Sequence, residues 1–378
     1  MFRAVVIAVV IGIGSVGVMF WALGEDISTA LHVPFWAYLC GLGLACLNYL
    51  AGALRLRWLA RHAGADLTFM SALRAYALGL TSAAITPSSA GQAPAVAFSL
   101  VAGGMPAATA WTVNVRVWSL DLVFLGWSFP VSVLVLGRST RLLGSARPEL
   151  VAVGAFVFSL LVVAVLIFRL DWVTGLAARA LRLPGLRRWR DKTTDFLNRV
   201  EAASAGLQRA PLRLQAALHS ATFLVYVTTY FTFFVMVVSM RPGAPLLPTM
   251  ASAQVPSVAS SFFPTPGGVG LLELGTASLM RLSSRSSVAA SAPIAEHEPD
   301  RLEDLVGPAG GAAIVAATDD SSKARAPVAA AILAWRIFTF YLRMLVGPVL
   351  SGAAWRRGVG GGDGKRKDAK RPEAGPDR

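Results

Sequence analysis

Five ionisable side chains lie inside or at the edge of long apolar runs. Arg116 and Asp121 share one run, Glu273 follows a Pro/Gly-rich break, and Arg336 and Arg343 share the last run. Burying a charge at membrane depth costs several kcal/mol and marks a substrate path, a proton relay or an internal ion pair. Arg336 and Arg343 are seven residues apart, which on an α-helix places them within about 20° of one face. Two guanidinium groups so placed suit the oxygens of one phosphate, which arginine grips as a fork. Arg116 and Asp121, five apart, point in different directions, so each needs a partner on another helix. Ion pairs that only pin the two halves together, Arg116 with Glu273 for example, are the alternative use of these charges. Three arginines against two carboxylates leave a positive interior, which favours an anionic ligand.

These residues flank a motif that occurs twice, Thr86-Pro87-Ser88-Ser89-Ala90-Gly91 and Thr265-Pro266-Gly267-Gly268-Val269-Gly270. Proline removes a backbone donor, so a break at this depth leaves unpaired amides and carbonyls that only a protein-lined cavity tolerates. Paired interruptions in two halves of a chain point to a site near the bilayer midplane; two ordinary interhelical turns are the plainer alternative. The repeat continues, because Arg116-Val117-Trp118-Ser119-Leu120 reappears as Arg336-Ile337-Phe338-Thr339-Phe340. The second copy has the longer interval between motif and arginine, with the surplus mostly within Leu282 to Ala326.

The elements that must position these groups are membrane helices. Of 378 residues, 55% are hydrophobic and 15% charged, with a mean hydropathy of +0.58, the composition of a polytopic membrane protein. Runs long enough to cross a bilayer fall at about 4–23, 33–54, 108–136, 149–168, 214–240 and 327–350. The broken segments at about 70–104 and 249–282 predict helical hairpins, crossing or re-entrant. The first run reads as an uncleaved helix rather than a signal peptide. Cys40 and Cys46 read as small packing residues, and neither a disulfide framework nor a metal-ligand spacing is present.

Basic residues orient the chain. The 169–213 stretch holds ten basic residues against four acidic, and 351–378 holds eight against four. Both are expected on the cytoplasmic side, with the termini, and 169–213 reads as an interfacial segment on the inner leaflet. The 283–326 insertion, with seven acidic residues against four basic, is expected to be a disordered outer loop. The basic connection at Arg138, Arg141 and Arg147 disagrees with this scheme and is outweighed by the larger cluster. The two halves are then inverted repeats within a transmembrane domain spanning 1–357, followed by a basic tail at 358–378. The formal charge of +14 is explained by anionic headgroups, not nucleic acid.

The run Ile85 to Gln92, the Val-Arg-Val-Trp-Ser-Leu-Asp helix around Arg116, and Phe263-Pro264-Thr265-Pro266-Gly267-Gly268-Val269-Gly270-Leu271-Leu272-Glu273 resemble the flippase-like family typified by the transmembrane region of lysylphosphatidylglycerol synthases. The resemblance covers roughly 1–282 and 327–355. It implies a bacterial inner-membrane protein that moves a lipid, or a lipid-linked polar head group, between leaflets. Here the first motif runs on as Gly91-Gln92-Ala93-Pro94 where many relatives have Gly-Gly-Gln-Pro. No aminoacyl-transfer domain follows, and His32, His62, His219 and His297 are scattered, so neither an enzyme nor a cofactor or metal is expected. The expected site comprises Arg116, Arg336 and Arg343 on the phosphate, Gln92 and the loop residues Thr86, Pro87, Gly91, Thr265, Pro266, Gly267, Gly268 and Gly270 on the polar part, and Asp121 and Glu273 orienting arginines or exchanging protons. Two other classes stay open: a membrane scaffold that recruits a glycosyl- or aminoacyl-transferase partner, and a membrane-embedded transferase acting on a lipid.

Overall fold

The structure, a computed structural model, describes residues 2–139, 149–151, 153–154, 156–157, 161, 210–263, 265–291 and 328–359. Ten helices account for most of these: α1 (Phe2–Leu23), α2 (Phe35–His62), α3 (Phe69–Ile85), α4 (Gln92–Ala102), α5 (Ala107–Ser139), α6 (Leu212–Met240), α7 (Leu246–Ser260), α8 (Leu271–Ser291), α9 (Val328–Arg336) and α10 (Leu342–Val359). A 3-10 turn, Ile27–His32, follows α1, and a π-helical turn, Ile337–Tyr341, joins α9 to α10. Four helical stretches are long and apolar enough to cross a membrane: Phe35–His62, Ala107–Ser139, Leu212–Met240 and Val328–Ser351.

Polarity is distributed as a bilayer requires. Large apolar side chains such as Trp21, Phe98, Leu345 and Val349 face outward, while Asn48, Arg55, Gln254, Glu273 and Arg336 are buried. The buried face of α2 repeats small or polar residues at helical spacing, Ala37, Gly41, Ala45, Asn48, Gly52 and Arg55. That stripe lets α2 lie along α6 and α3, since small residues permit the close approach on which helix association in lipid depends. Gly52 shows how close: a Cβ there would stand 2.2 Å from the Tyr76 ring. Cys40 and Cys46 fall on the other side of α2 and are exposed, so they are not the packing residues the sequence suggests.

Each motif lies between two helices, α3 ending at Ile85 and α4 starting at Gln92, α7 ending at Ser260 and α8 starting at Leu271. α3 and α4 pack together across Thr86–Gly91, and α7 and α8 pack together across residues 261–270. The packing is reciprocal. α3 of the first hairpin lies along α10, α7 of the second lies along α5, and α2 and α6, which precede the hairpins, lie along each other. The two motif loops meet, with their backbones antiparallel at Pro87 and Pro266.

Several boundaries differ from the sequence expectation. α2 continues to His62 rather than ending near 54, and Arg55, the first basic residue past that point, is held inside the protein by Asp121 and Thr222. The last run is not one uniform α-helix, and α8 extends to Ser291, so the first nine residues of the 283–326 segment are helical. Most of 149–168, nearly all of 169–213, residues 292–326 and the tail beyond 359 lie outside the described residues.

Candidate functional site

The Thr-Pro-x-x-x-Gly spacing encodes one backbone turn used twice. In the first loop the Ser89 N–H donates to Thr86 O at 3.3 Å and the Ala90 N–H to Pro87 O at 3.0 Å; in the second, Gly268 donates to Thr265 O at 3.3 Å and Val269 to Pro266 O at 3.1 Å. The residues after proline are left-handed in both loops, Ser88 and Ser89 at φ 51° and 56°, Gly267 and Gly268 at 58° and 70°. Glycine adopts this conformation without strain, whereas serine does so at a cost. Close packing adds a second demand on the glycines, since a Cβ on Gly267 would lie 2.4 Å from the Phe340 ring.

The loops close differently at their last glycine. The Gly91 N–H donates to Thr86 Oγ1 at 2.8 Å, and Thr86 in turn donates to Ser82 O at 2.6 Å. In the second loop Glu273 takes the place of the threonine, accepting the Gly270 N–H on Oε2 at 2.7 Å. Glu273 is the third residue of α8, so this is half of a capping box. Thr265 Oγ1 is consequently buried without a hydrogen-bond partner among the described residues.

Glu273 uses its other oxygen on Arg336. The Nε of Arg336 donates to Oε1 at 2.7 Å, its Nη2 donates to Gly267 O at 3.2 Å, and the guanidinium stacks 4.6 Å from the Phe340 ring centre. Both partners are almost sealed from solvent, at 1% and 3% exposure. One ion pair therefore fixes the second loop, the start of α8 and the end of α9 together.

A second buried pair, Arg55 with Asp121, joins α2 to α5. Arg55 also donates to Thr222 Oγ1 at 3.1 Å. Two turns earlier on α2, Asn48 donates to Val225 O at 2.7 Å and accepts from the Tyr76 hydroxyl at 3.2 Å. Asp121 uses only Oδ1 in the pair, and Oδ2 has no hydrogen-bond partner among the described residues.

Between the two pairs and beneath the two loops lies a cavity of about 610 Å³. Ser88, Ser89 and Gln92 reach it from the first hairpin, Gly267 and Gly268 from the second. Arg55, Tyr76, Asp121, Tyr226, Tyr230, Trp335, Arg336, Thr339 and Arg343 belong to its polar and aromatic wall. Arg343 is partly buried, and no ion pair or hydrogen bond of its guanidinium occurs among the described residues. Its backbone carbonyl accepts from Thr81 Oγ1 at 2.6 Å.

The structure thus brings Gln92, Asp121, Gly267, Gly268, Arg336 and Arg343 to one cavity and keeps Thr86, Pro87, Gly91, Thr265, Pro266, Gly270 and Glu273 as the framework behind it. Arg116 does not line the cavity, and Glu273 pairs with Arg336 rather than with it. Arg336 and Arg343, seven residues apart, both line the cavity, with a π turn between them. Arg336 turns into the loop and Arg343 is left facing the cavity. Sequence reasoning missed Arg55, Asn48 and the three tyrosines. The available signal was the helical spacing of Asn48, Gly52, Arg55 and Leu59, which runs on past the assumed end of the span at 54.

Away from the site, the Glu25 carboxylate accepts the Ala329 N–H at 2.8 Å at the start of α9, and Arg281 donates to Leu23 O at 2.6 Å. Burial pushes the Glu25 carboxyl above its ordinary value, against the lowering pull of the Ala329 N–H and of Arg281.

An apolar exterior, spanning helices and ion pairs buried between those helices define an all-α polytopic membrane protein. Residues 5–297 match the family model described as the lysylphosphatidylglycerol synthase TM region, and the chain belongs to that family. No curated protein and no solved structure matches it.

Proposed function

We propose that the chain is a lipid translocator of the bacterial inner membrane, moving an anionic lipid or lipid-linked head group between leaflets through the cavity under the two motif loops. The observation that carries this is Arg343, a guanidinium facing that cavity without an ion pair among the described residues. An unneutralised charge at this depth is costly unless a ligand supplies the counter-charge. A cavity of about 610 Å³ is within the usual range for a small-molecule site, here taken by a head group whose acyl chains stay in lipid. The identical loop turns, the reciprocal helix packing and the antiparallel contact at Pro87 and Pro266 support two inverted halves. Exposure of the cavity to one leaflet and then the other would follow from one half rocking against the other. No covalent step is assigned to the chain in this proposal, and the basic segments after 169 and 351 would face the cytoplasm.

The test is leaflet exchange of fluorescent phosphatidylglycerol in liposomes containing the purified chain. Wild-type protein is expected to accelerate exchange and Arg343→Gln to abolish the acceleration. Equal exchange with and without protein, over a panel of anionic and lipid-linked substrates, would sink the proposal.

A further inference from the structure

We infer, building on the anionic-lipid reading above, that the cavity selects singly charged phosphodiester head groups over doubly charged phosphates, and that Asp121 sets this limit. Three guanidinium groups line the cavity, but they are not equivalent. Arg336 is held by Glu273, whose second oxygen closes the loop at Gly270, so this pair opens only if the second loop comes apart. Arg55 is held by Asp121. Arg343 alone is uncompensated among the described residues, leaving the wall with one net positive charge.

The other groups facing Asp121 add nothing to that balance. Tyr76 from α3 and Tyr226 and Tyr230 from α6 are neutral phenols at physiological pH, and Gln92 from α4 is an amide. A phosphodiester with one negative charge is balanced by Arg343. A second negative charge would need Arg55, and taking Arg55 from Asp121 would set a bare carboxylate beside the phosphate. Like charges that close in a poorly solvated site repel strongly. Asp121 is therefore a specificity residue, and its effect is to exclude. The uncharged remainder of the head group meets the hydroxyls and amide of Ser88, Ser89, Gln92 and Thr339.

The experiment is calorimetric binding of short-chain lipids to the purified full chain: dihexanoyl phosphatidylglycerol, dihexanoyl phosphatidic acid and, as the neutral control, dihexanoyl phosphatidylcholine. At about pH 8.5 the phosphatidic acid monoester carries its second charge, since that pKa is near 6. Wild-type protein is expected to bind phosphatidylglycerol at least about tenfold more tightly than phosphatidic acid. Asp121→Asn frees Arg55 and should reverse the order. The double variant Arg55→Gln, Asp121→Asn restores a single net charge and should restore the preference, which separates a charge effect from a folding defect. Phosphatidic acid bound as tightly as phosphatidylglycerol by the wild type, or an order unchanged in Asp121→Asn, overturns the inference. Binding is measured without any leaflet exchange. A chain with the expected selectivity that moves no lipid keeps the inference and loses the transport reading, and a chain that moves lipid without the selectivity does the reverse.

Discussion

At the scale of single residues the cavity arginines divide by what breaking them costs. Arg336→Ala strips the counter-charge from a sealed Glu273, and such a loss costs about 3–5 kcal/mol; a large fall in the melting temperature of the detergent-solubilised protein is the expected result. Arg343→Gln removes no ion pair seen in the structure and should leave the melting temperature within a degree or two of wild type while ligand binding is lost. Equal destabilisation by both substitutions would contradict this division. Glu25 makes a separate prediction about pH. A carboxyl raised in the folded state contributes stability at acid pH and loses it as pH rises through the raised value. Wild-type protein should therefore lose stability as pH climbs out of the ordinary carboxyl range and through the raised value, and Glu25→Gln, which keeps an acceptor for the Ala329 N–H, should flatten that slope in thermal unfolding. The charges at depth were legible because arginine and glutamate stand out in an apolar run. Their partners were not, since pairing Arg336 with Glu273 and Arg55 with Asp121 depends on how helices distant in sequence approach one another.

The elements carry their own constraints, the clearest at the loops. Ser89 sits left-handed at φ 56° where the second loop has Gly268, so Ser89→Gly should stabilise the protein by up to about 1 kcal/mol. Ser88→Gly should gain less, because it also removes the hydrogen bond from Ser88 Oγ to Phe263 O at 2.9 Å. Chemical denaturation of the two variants in one detergent distinguishes them. α3 and α10 meet with almost no clearance, a Cβ on Gly347 falling 2.0 Å from Thr81 Oγ1. Gly347→Ala should cost about 1–3 kcal/mol, and Thr81→Ala in the same chain should recover part of it, an interaction visible only in the double-mutant comparison. Helix positions and both interruptions could be read from proline, glycine and apolar run length. The π turn between Arg336 and Arg343 could not, because Ile337-Phe338-Thr339-Phe340-Tyr341 has the composition of an ordinary membrane helix and its widened bonding is set by packing around it.

Across the whole molecule, the two halves touch where they are most alike. Pro87 and Pro266 face each other on antiparallel backbones, so cysteines at both positions lie within reach of a disulfide. Oxidising a Pro87→Cys, Pro266→Cys chain should stop leaflet exchange and leave phosphatidylglycerol binding in place, with a reductant restoring exchange; undiminished exchange in the oxidised chain would exclude relative movement of the loops. The repeat in the sequence announced two equivalent breaks, yet nothing in either motif announced that one would rest on the other. Heredity should register that contact. A lesion at Ser88 removes its contact with Phe263, so selection for revertants is expected to return second-site suppressors in the opposite loop, far along the gene, more often than in the helices adjacent to the lesion itself.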